Sequence, residues 1–308
     1  MLPAVAQAPI GNAATVDLAI AVCEAGGLGS LGASWTPPHA LRAQVRALQR
    51  RTERPFCVNL VLAFEQSERV EVCREERVPV VSLSWGVRET YVRALRAGGA
   101  IVLAQVGSLD EATAAQAAGC DELIVQGIEA GGHVQGRERL LPLLRRVAAA
   151  SSLPLWAAGG IAEERGVRAA REAGAAGVLL GTRFVASDEA DAHPVWQQAI
   201  CAAASEDAVY TGTFDIGWPD APHRVLRNST LRALDGSITR RRPGEGEVIA
   251  ETDGRPLVRY ADEIPRRRTT GAVEALALYA GESCGLIDRV EPAAAITERL
   301  LAAWTAGP

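Results

Sequence analysis

The residues with the plainest chemical potential form the stretch Gln126-Gly127-Ile128-Glu129-Ala130-Gly131-Gly132-His133. Just before it, Glu122-Leu123-Ile124-Val125 is a short apolar run bounded by Gly119 and Gly127, the signature of a strand buried on both faces of a parallel sheet. His133 is therefore delivered on the loop leaving a strand's carboxyl end, where α/β barrels and doubly wound sheets bind ligands. Gly131 and Gly132 lack a Cβ, so their backbone can approach a ligand closely. An imidazole there changes protonation near neutral pH and can serve as a general base. The competing reading is a capping or merely exposed loop histidine. Two more glycine signals follow. Ala157-Ala158-Gly159-Gly160-Ile161 ends one strand just before a helix, and Gly181-Thr182-Arg183-Phe184 ends the next. In barrels the loops after strands seven and eight commonly hold a phosphate through backbone N–H groups. Thr182 would add a hydroxyl and Arg183 a charge. Read blandly, Gly159-Gly160 is a tight turn and Gly181 a packing contact.

The elements that must position these residues alternate with some regularity. Strands are expected at Val5 to Ala8, Leu28 to Ala33, Phe56 to Leu62, Val78 to Ser84, Ala100 to Val106, Glu122 to Gln126, Leu155 to Ala158 and Gly177 to Gly181. Helices are expected at Ala13 to Ala25, His39 to Arg51, Tyr91 to Ala97, Leu109 to Ala118 and Glu163 to Ala173, with His193 to Ala204 completing the ring. Thr15 is the expected N-cap of the first helix and Gly26-Gly27 its stop. Eight strands alternating with helices predict an α/β fold, a closed (β/α)8 TIM barrel. An open dinucleotide sheet fits less well, since no G-x-G-x-x-G follows the first strand. Asn59 stands inside an apolar strand and must find polar partners.

Composition narrows the chemistry. The chain has 308 residues, 48% of them apolar, enough for one large barrel and an appendage. A net charge of -5 gives no basic field for nucleic acid. All 32 basic residues are arginine, which excludes Schiff-base and phosphate-loop lysine chemistry. The six cysteines form no C-x-x-C pair and read as core residues of a reduced, cytoplasmic protein, with no metal site expected. The N-terminal stretch is broken by Pro9, Asn12 and Asp17, so neither a signal peptide nor a membrane span is expected.

The motifs Gln7-Ala8-Pro9, Ala25-Gly26-Gly27-Leu28-Gly29, Val58-Asn59-Leu60, the Glu129-to-His133 run, Ala157-to-Ile161 and Gly181-to-Phe184 together resemble the nitronate monooxygenase family, formerly called 2-nitropropane dioxygenases. The likeness runs on through Gly217-Trp218-Pro219, Arg224 to Asn228 and Leu278 to Gly281, so it covers nearly the whole chain. The resemblance implies a non-covalent FMN across the carboxyl ends of the strands. Gly159, Gly160, Gly181 and Thr182 would hold its phosphate. Ala8, Pro9, Asn59, Gln126, Gly131 and Gly132 would lie along the ribityl chain and ring, and His133 would be the base. Some relatives place a lysine near the end of strand five against the flavin pyrimidine; Gln105 stands there in this chain. The family also carries Met or a small residue where Ile10-Gly11 follows the Ala-Pro pair.

The implied activity is oxidation of an alkyl nitronate, or a nitroalkane that first loses a proton to His133, by dioxygen to a carbonyl compound and nitrite. The alternatives are an NAD(P)H-dependent flavin reductase of quinones or enoyl thioesters on the same barrel, and a flavin-binding protein without turnover. Residues 1–209 are read as the FMN-binding barrel and 210–308 as a C-terminal cap with closing helices, near Ala272 to Ala280 and Pro292 to Trp304. The runs Arg240-Arg241-Arg242 and Arg266-Arg267-Arg268 read as solvated faces or, more sharply, as a site for a substrate's phosphate tail. His39, His193 and His223 read as structural or surface residues. Trp218 and Tyr260 either line the substrate pocket or belong to the core. The sequence sets no oligomeric state, and a homo-oligomer stays open.

Overall fold

The computed structural model describes residues 2–234 and 242–306; Arg240 and Arg241 lie outside them. Eight parallel strands form the barrel: β1 (Val5–Gln7), β2 (Gly29–Gly32), β3 (Phe56–Val61), β4 (Val80–Ser84), β5 (Ile101–Val106), β6 (Glu122–Gln126), β8 (Leu155–Ala158) and β9 (Gly177–Leu180). The two-residue strand β7 (Gly132–His133) lies outside it. The spatial order is β1-β9-β8-β6-β5-β4-β3-β2. A parallel bridge between Ala6 and Leu28 closes the ring, flanked by Gln7 N–H to Leu28 C=O (3.0 Å) and Leu28 N–H to Val5 C=O (2.9 Å).

The period of two along each strand builds the interior in two layers. Ala6, Leu28, Cys57, Val80, Leu103, Ile124 and Trp156 pack together as an apolar plug. Two residues further along the same strands stand Ser30, Asn59, Ser82, Gln105 and Gln126, a polar layer at the carboxyl ends. The alternation thus makes a closed floor with hydrogen-bonding groups above it. Trp156 is the largest side chain of the plug, and its indole N–H donates to the Glu122 carboxylate, whose pKa burial raises.

Around the barrel run α1 (Val16–Glu24), α2 (Pro38–Arg51), α3 (Ser67–Glu75), α4 (Glu89–Ala97), α5 (Leu109–Ala117), α6 (Leu140–Ala150) and α7 (Glu164–Glu172), followed by the short α8 (Thr182–Val185) and α9 (Pro194–Ala202). Thr15 caps α1, its Oγ1 accepting from Leu18 N–H at 2.9 Å. Three of these helices, α3, α6 and the four-residue α8, escape the sequence pattern. In α3 charged residues alternate with valines, and α6 carries Pro142, which is tolerated because first-turn N–H groups have no intrahelical partner.

Three further expectations are corrected. The ring is completed by the C-terminal α11 (Ala293–Thr305), which packs between α1 and α7, whereas α9 sits against the segment around Cys284. Ala272 to Ala280 is no α-helix. It forms one 3-10 turn at Val273–Ala275 and then an extended run whose Leu278 C=O accepts from Leu226 N–H at 2.8 Å. The described arginines of the two runs are largely committed rather than simply solvated: Arg242 pairs with Asp215 and Glu245, Arg266 pairs with Asp191, and the Arg267 side chain donates to the carbonyls of Ala190 and Asp188.

The C-terminal third adds β10 (Ala208–Thr211), β11 (His223–Leu226), α10 (Ser229–Leu234), β12 (Val248–Thr252), β13 (Arg255–Val258) and β14 (Thr270–Gly271). Strand β11 lies between β10 and β7, antiparallel to both. All six cysteines are free thiols. No helix among the described residues is long and apolar enough to cross a membrane.

The plug makes a direct prediction. Trp156→Ala removes the largest ring from the floor and leaves Glu122 without its indole donor. The expected loss is about 3–5 kcal/mol, seen as a lower urea midpoint. A midpoint equal to wild type would show that the floor carries no such load.

Candidate active site

His133 lies on β7, and its position is fixed from both sides. On the barrel side, Gln126 Nε2 donates to the His133 carbonyl at 3.3 Å and Gln126 Oε1 accepts from Gln135 N–H at 2.7 Å. On the outer side, His133 pairs with His223 and Gly132 with Arg224 across the β7–β11 ladder. The buried Arg224 guanidinium donates to Ile128 C=O through Nε (3.1 Å) and Nη2 (2.8 Å), and to Ala208 C=O through Nη1 (2.7 Å). Glu129 holds the base of the loop: its carboxylate accepts from Leu140 N–H at 2.9 Å, at the start of α6, and a Cβ on Gly127 would sit 2.4 Å from it. The same Cβ would lie 2.6 Å from Leu140 Cα, and that backbone contact explains the glycine.

Rings box the imidazole. Trp218 stacks on it at 4.2 Å between centroids and 24° between planes. Trp85 at 6.4 Å and His223 at 5.4 Å stand edge-on, and Tyr279 is tilted at 5.5 Å. Phe64 continues the cluster from Trp218 at 5.1 Å, and Trp35 meets Phe64 at 5.5 Å. Trp85 has φ +59°, a left-handed backbone that costs a bulky residue about 1–2 kcal/mol. The Gln135 side chain holds it there, Oε1 accepting from Trp85 N–H at 2.9 Å. Gln135 Nε2 donates to Gln105 C=O (3.3 Å) and to the Glu111 carboxylate (2.8 Å), which fixes its amide orientation.

His133 Nε2 is buried and has no hydrogen-bond partner. Burial, with the nearby His223, pushes its pKa down to about 3, so the ring is neutral at pH 7. His223 differs. Its Nε2 accepts from Phe214 N–H (3.1 Å), so Nδ1 carries the proton and donates to Ala221 C=O (2.9 Å).

The remaining expected residues sit as follows. Asn59 is buried, its Nδ2 donating to Ser82 C=O (3.2 Å) and Ser82 Oγ (3.0 Å). Gln105 is half-buried beside Gln135. Ala8 and Pro9 leave β1 beside Gly181, whose Cβ would lie 3.7 Å from that of Ala8. Gly159 and Gly160 follow β8 with φ +111° and +70°. Among the described residues, the N–H groups of Gly159, Gly160 and Gly181 have no partner within the protein. Thr182 Oγ1 accepts from Gly281 N–H at 2.9 Å, which leaves its own proton free to donate. Gly131 and Gly281 pass so closely that a Cβ on Gly131 would lie 2.4 Å from Gly281 N.

Arg183 corrects an expectation. It turns away from this row of donors to Ala186 C=O, Arg289 C=O and Glu291, so it adds no free charge there. Tyr260 also lies apart, its hydroxyl donating to Pro243 C=O at 2.7 Å and its ring under Arg242. His193 is structural, its Nδ1 accepting from Val195 N–H at the start of α9. Sequence reasoning passed over Gln135, Trp85, Phe64, Trp35, Tyr279 and Arg224 as parts of the site. Only Gln135, two residues after His133, stood close enough in sequence to suggest itself.

The depressed histidine has a measurable consequence. A folded pKa below the unfolded value near 6.5 gives stability that is full above pH 6.5 and falls as pH drops toward 3. Each such ring draws about 1.4 kcal/mol per pH unit while only the unfolded chain takes the proton. Asp262, raised by burial to about 6, acts in the opposite sense but is common to both proteins compared. Urea unfolding at pH 7, 6 and 5 is expected to show a shallower acid loss in His133→Gln than in wild type. Parallel curves would refute the burial argument.

Comparison with known proteins completes the picture. The nitronate monooxygenase family model matches residues 1–68 and 61–303. The (3aS,4S,5R,7aS)-5-hydroxy-7a-methyl-1-oxo-octahydro-1H-indene-4-carboxyl-CoA dehydrogenase of Mycobacterium tuberculosis is 32% identical over 265 residues, 83% of this chain and 74% of that protein. Among solved structures, FabK from Thermotoga maritima superposes with a TM-score of 0.81 at 34% identity, covering 98% of this chain and 92% of its own. The nitroalkane oxidase of Streptomyces ansochromogenes does so at 0.80 and 29%, covering 98% and 95%. With a barrel of this topology and a family match along almost its whole length, the chain belongs to the nitronate monooxygenase family of flavin-dependent oxidoreductases.

Proposed function

We propose that this protein is a cytoplasmic, FMN-dependent enzyme that oxidises alkyl nitronates by dioxygen to a carbonyl compound and nitrite. Nitroalkanes enter the same reaction after losing a proton. The observation that carries the reading is the neutral, buried His133 imidazole with an unpartnered Nε2, set at the carboxyl end of the barrel inside a box of rings. The family match and the likeness to a nitroalkane oxidase support it.

The residues fit an FMN. Free N–H groups at Gly159, Gly160 and Gly181, with the Thr182 hydroxyl, are the donor set a phosphate asks for. The inward layer of Asn59, Gln105 and Gln126, beside Ala8, Pro9, Gly131 and Gly132, suits a polyol and a flat heteroaromatic ring. When bound, FMN supplies the electron transfer between substrate and dioxygen. The chain supplies position, water exclusion and one base. Neutral Nε2 of His133 takes the α-proton of a nitroalkane, while a nitronate arrives already without it. Gln126 and Arg224 keep that nitrogen in place, and Trp85, Trp218 and Tyr279 keep water from it. In this reading residues 1–209 hold the cofactor, and residues 210–308 cap the mouth and close the ring.

A reductase acting on a thioester with NAD(P)H is the second reading, favoured by the carboxyl-CoA dehydrogenase relative. Against it, Arg242, Arg266 and Arg267 are occupied by the protein's own carboxylates and carbonyls and are not free for a phosphate tail.

Oxygen uptake by the FMN-loaded protein, given a small alkyl nitronate without NAD(P)H, tests the two readings. Wild type is expected to consume oxygen and release nitrite. His133→Ala should stay within about tenfold of wild type on the nitronate but lose about 10²–10⁴ on the neutral nitroalkane. No uptake, together with bleaching by anaerobic NAD(P)H, would move the assignment to a reductase.

A further inference from the structure

Trp218 covers the imidazole face it stacks on. The residue is only 7% exposed, and its ring lies against the His133 ring at 4.2 Å, so the indole forms one wall of any space beside that imidazole. The segment that carries it is held differently from its surroundings. Ile216 is tied on both sides, its N–H donating to Tyr260 C=O (3.1 Å) and its C=O accepting from Asp262 N–H (3.0 Å). Chain pairing resumes at Pro222, whose C=O accepts from Val134 N–H (2.8 Å). Between these ties, among the described residues, Gly217 to Ala221 makes no backbone-to-backbone hydrogen bond. Gly217 (φ +114°) and Asp220 (φ +58°) bracket the indole with left-handed dihedrals. Within the segment Ala221 C=O is held by His223 Nδ1 (2.9 Å), while Trp218 itself is kept in place by ring packing.

That packing also defines what its departure would leave. The seat is walled by Val61, Phe64, Trp85 and Ala221, with centroids 5.1 Å to Phe64 and 4.9 Å to Trp85. From the seat, Phe64 and the 49% exposed Trp35 lead outward to solvent. Two of the chain's six tryptophans, Trp85 and Trp218, thus meet the His133 ring, and Trp35 and Phe64 pack behind Trp218. All four walls are apolar. Displacing a buried indole forfeits its contacts, and only a substrate whose own substituent refills the seat recovers them.

We infer that Trp218 is the gate and specificity-determining residue of this site, which selects substrates bearing a flat apolar substituent of about aryl size over short-chain ones. Combined with the proposed function, on which this part rests, the substrate class is arylalkyl nitronates such as that of 2-phenylnitroethane.

The test has two arms, one of which needs no turnover. In the first, the rate at which diethyl pyrocarbonate modifies each histidine is followed by peptide mass spectrometry in the FMN-loaded protein, with His39 as internal reference. Trp218→Ala is expected to speed modification of His133 at least tenfold and Trp218→Phe much less. In wild type, 2-phenylnitroethane should protect His133 where nitroethane at the same concentration does not. In the second arm, kcat/KM is compared for the two nitronates. Wild type should favour the aryl compound by about tenfold or more, the scale on which apolar pockets discriminate. Trp218→Ala should lower that ratio at least tenfold, chiefly by a lower KM for the small nitronate.

Equal losses on both substrates in Trp218→Ala, with His133 no more reactive, would make Trp218 a permanent wall and overturn the gate. Selective protection of His133 without any nitronate turnover would leave the gate standing and sink only the nitronate assignment.

Discussion

Two paired residues hold the active loop in place. Gly132 and His133 form a strand only because His223 and Arg224, some ninety positions later, lie antiparallel to them. Without that ladder the run after β6 would be a glycine-rich loop, free to put His133 in many places. With it, Arg224 reaches under the loop to Ile128 C=O, and the close pass of Gly131 by Gly281 locks the far side. Each of these contacts comes from the C-terminal third. The barrel supplies the carboxyl end of its strands, and the last hundred residues decide where on that end His133 stands.

This division explains what could be read from the sequence. The barrel strands were legible because each is a local apolar run between glycine or proline stops, and their buried faces impose that pattern residue by residue. Gly159-Gly160 and Gly181-Thr182 were legible for the same reason, standing immediately after such runs, and His133 on the loop that leaves another. What failed depends on distant partners. Leu276 to Ala280 is apolar enough to suggest a helix, yet its carbonyls serve the side chain of Asn228 and the backbone of Leu226. The helix that closes the ring is α11 rather than α9, because the seam between α1 and α7 is set by packing and not by order in the chain. Trp218, read as pocket wall or core, sits 85 positions from the ring it covers, and no periodicity could decide between the two. Arg224, read only as part of a motif, proved to be a buried clamp.

The absence of lysine gives the site a particular character. Gln105, Gln126, Gln135 and Asn59 are all neutral amides, and the arginines nearby face backbone carbonyls or carboxylates. Gln135 binds these amides into one device. It offers its oxygen to the strained backbone of Trp85 and its nitrogen to Gln105 and Glu111, so the left-handed turn at Trp85 and the end of β5 are fixed together. Positioning here is done by hydrogen bonds whose two partners are both buried or half-buried. The amides among them hold direction well without charge of their own, while the charged partners, Glu111 here and Arg224 under the loop, are themselves hydrogen-bonded.

The two histidines that face each other across the ladder are bonded in opposite ways. Their rings are 5.4 Å apart and both are held neutral by burial. His223 has each nitrogen bonded by its own chain, so its tautomer is fixed and its proton has nowhere to go. His133 is braced through its backbone, by Gln126 and the ladder, while its Nε2 carries no bond at all. Leaving a buried nitrogen unpaired costs about 1–3 kcal/mol, and a fold under pressure for stability alone would have found it a donor. The same chain satisfied the neighbouring ring completely. Among the described residues Ser30 Oγ, Gln66 Oε1 and Arg183 Nε are also buried without a partner, so the contrast that counts is the local one between two facing rings, and an unpaired atom of this kind is tolerated where a group bonds to something that comes and goes.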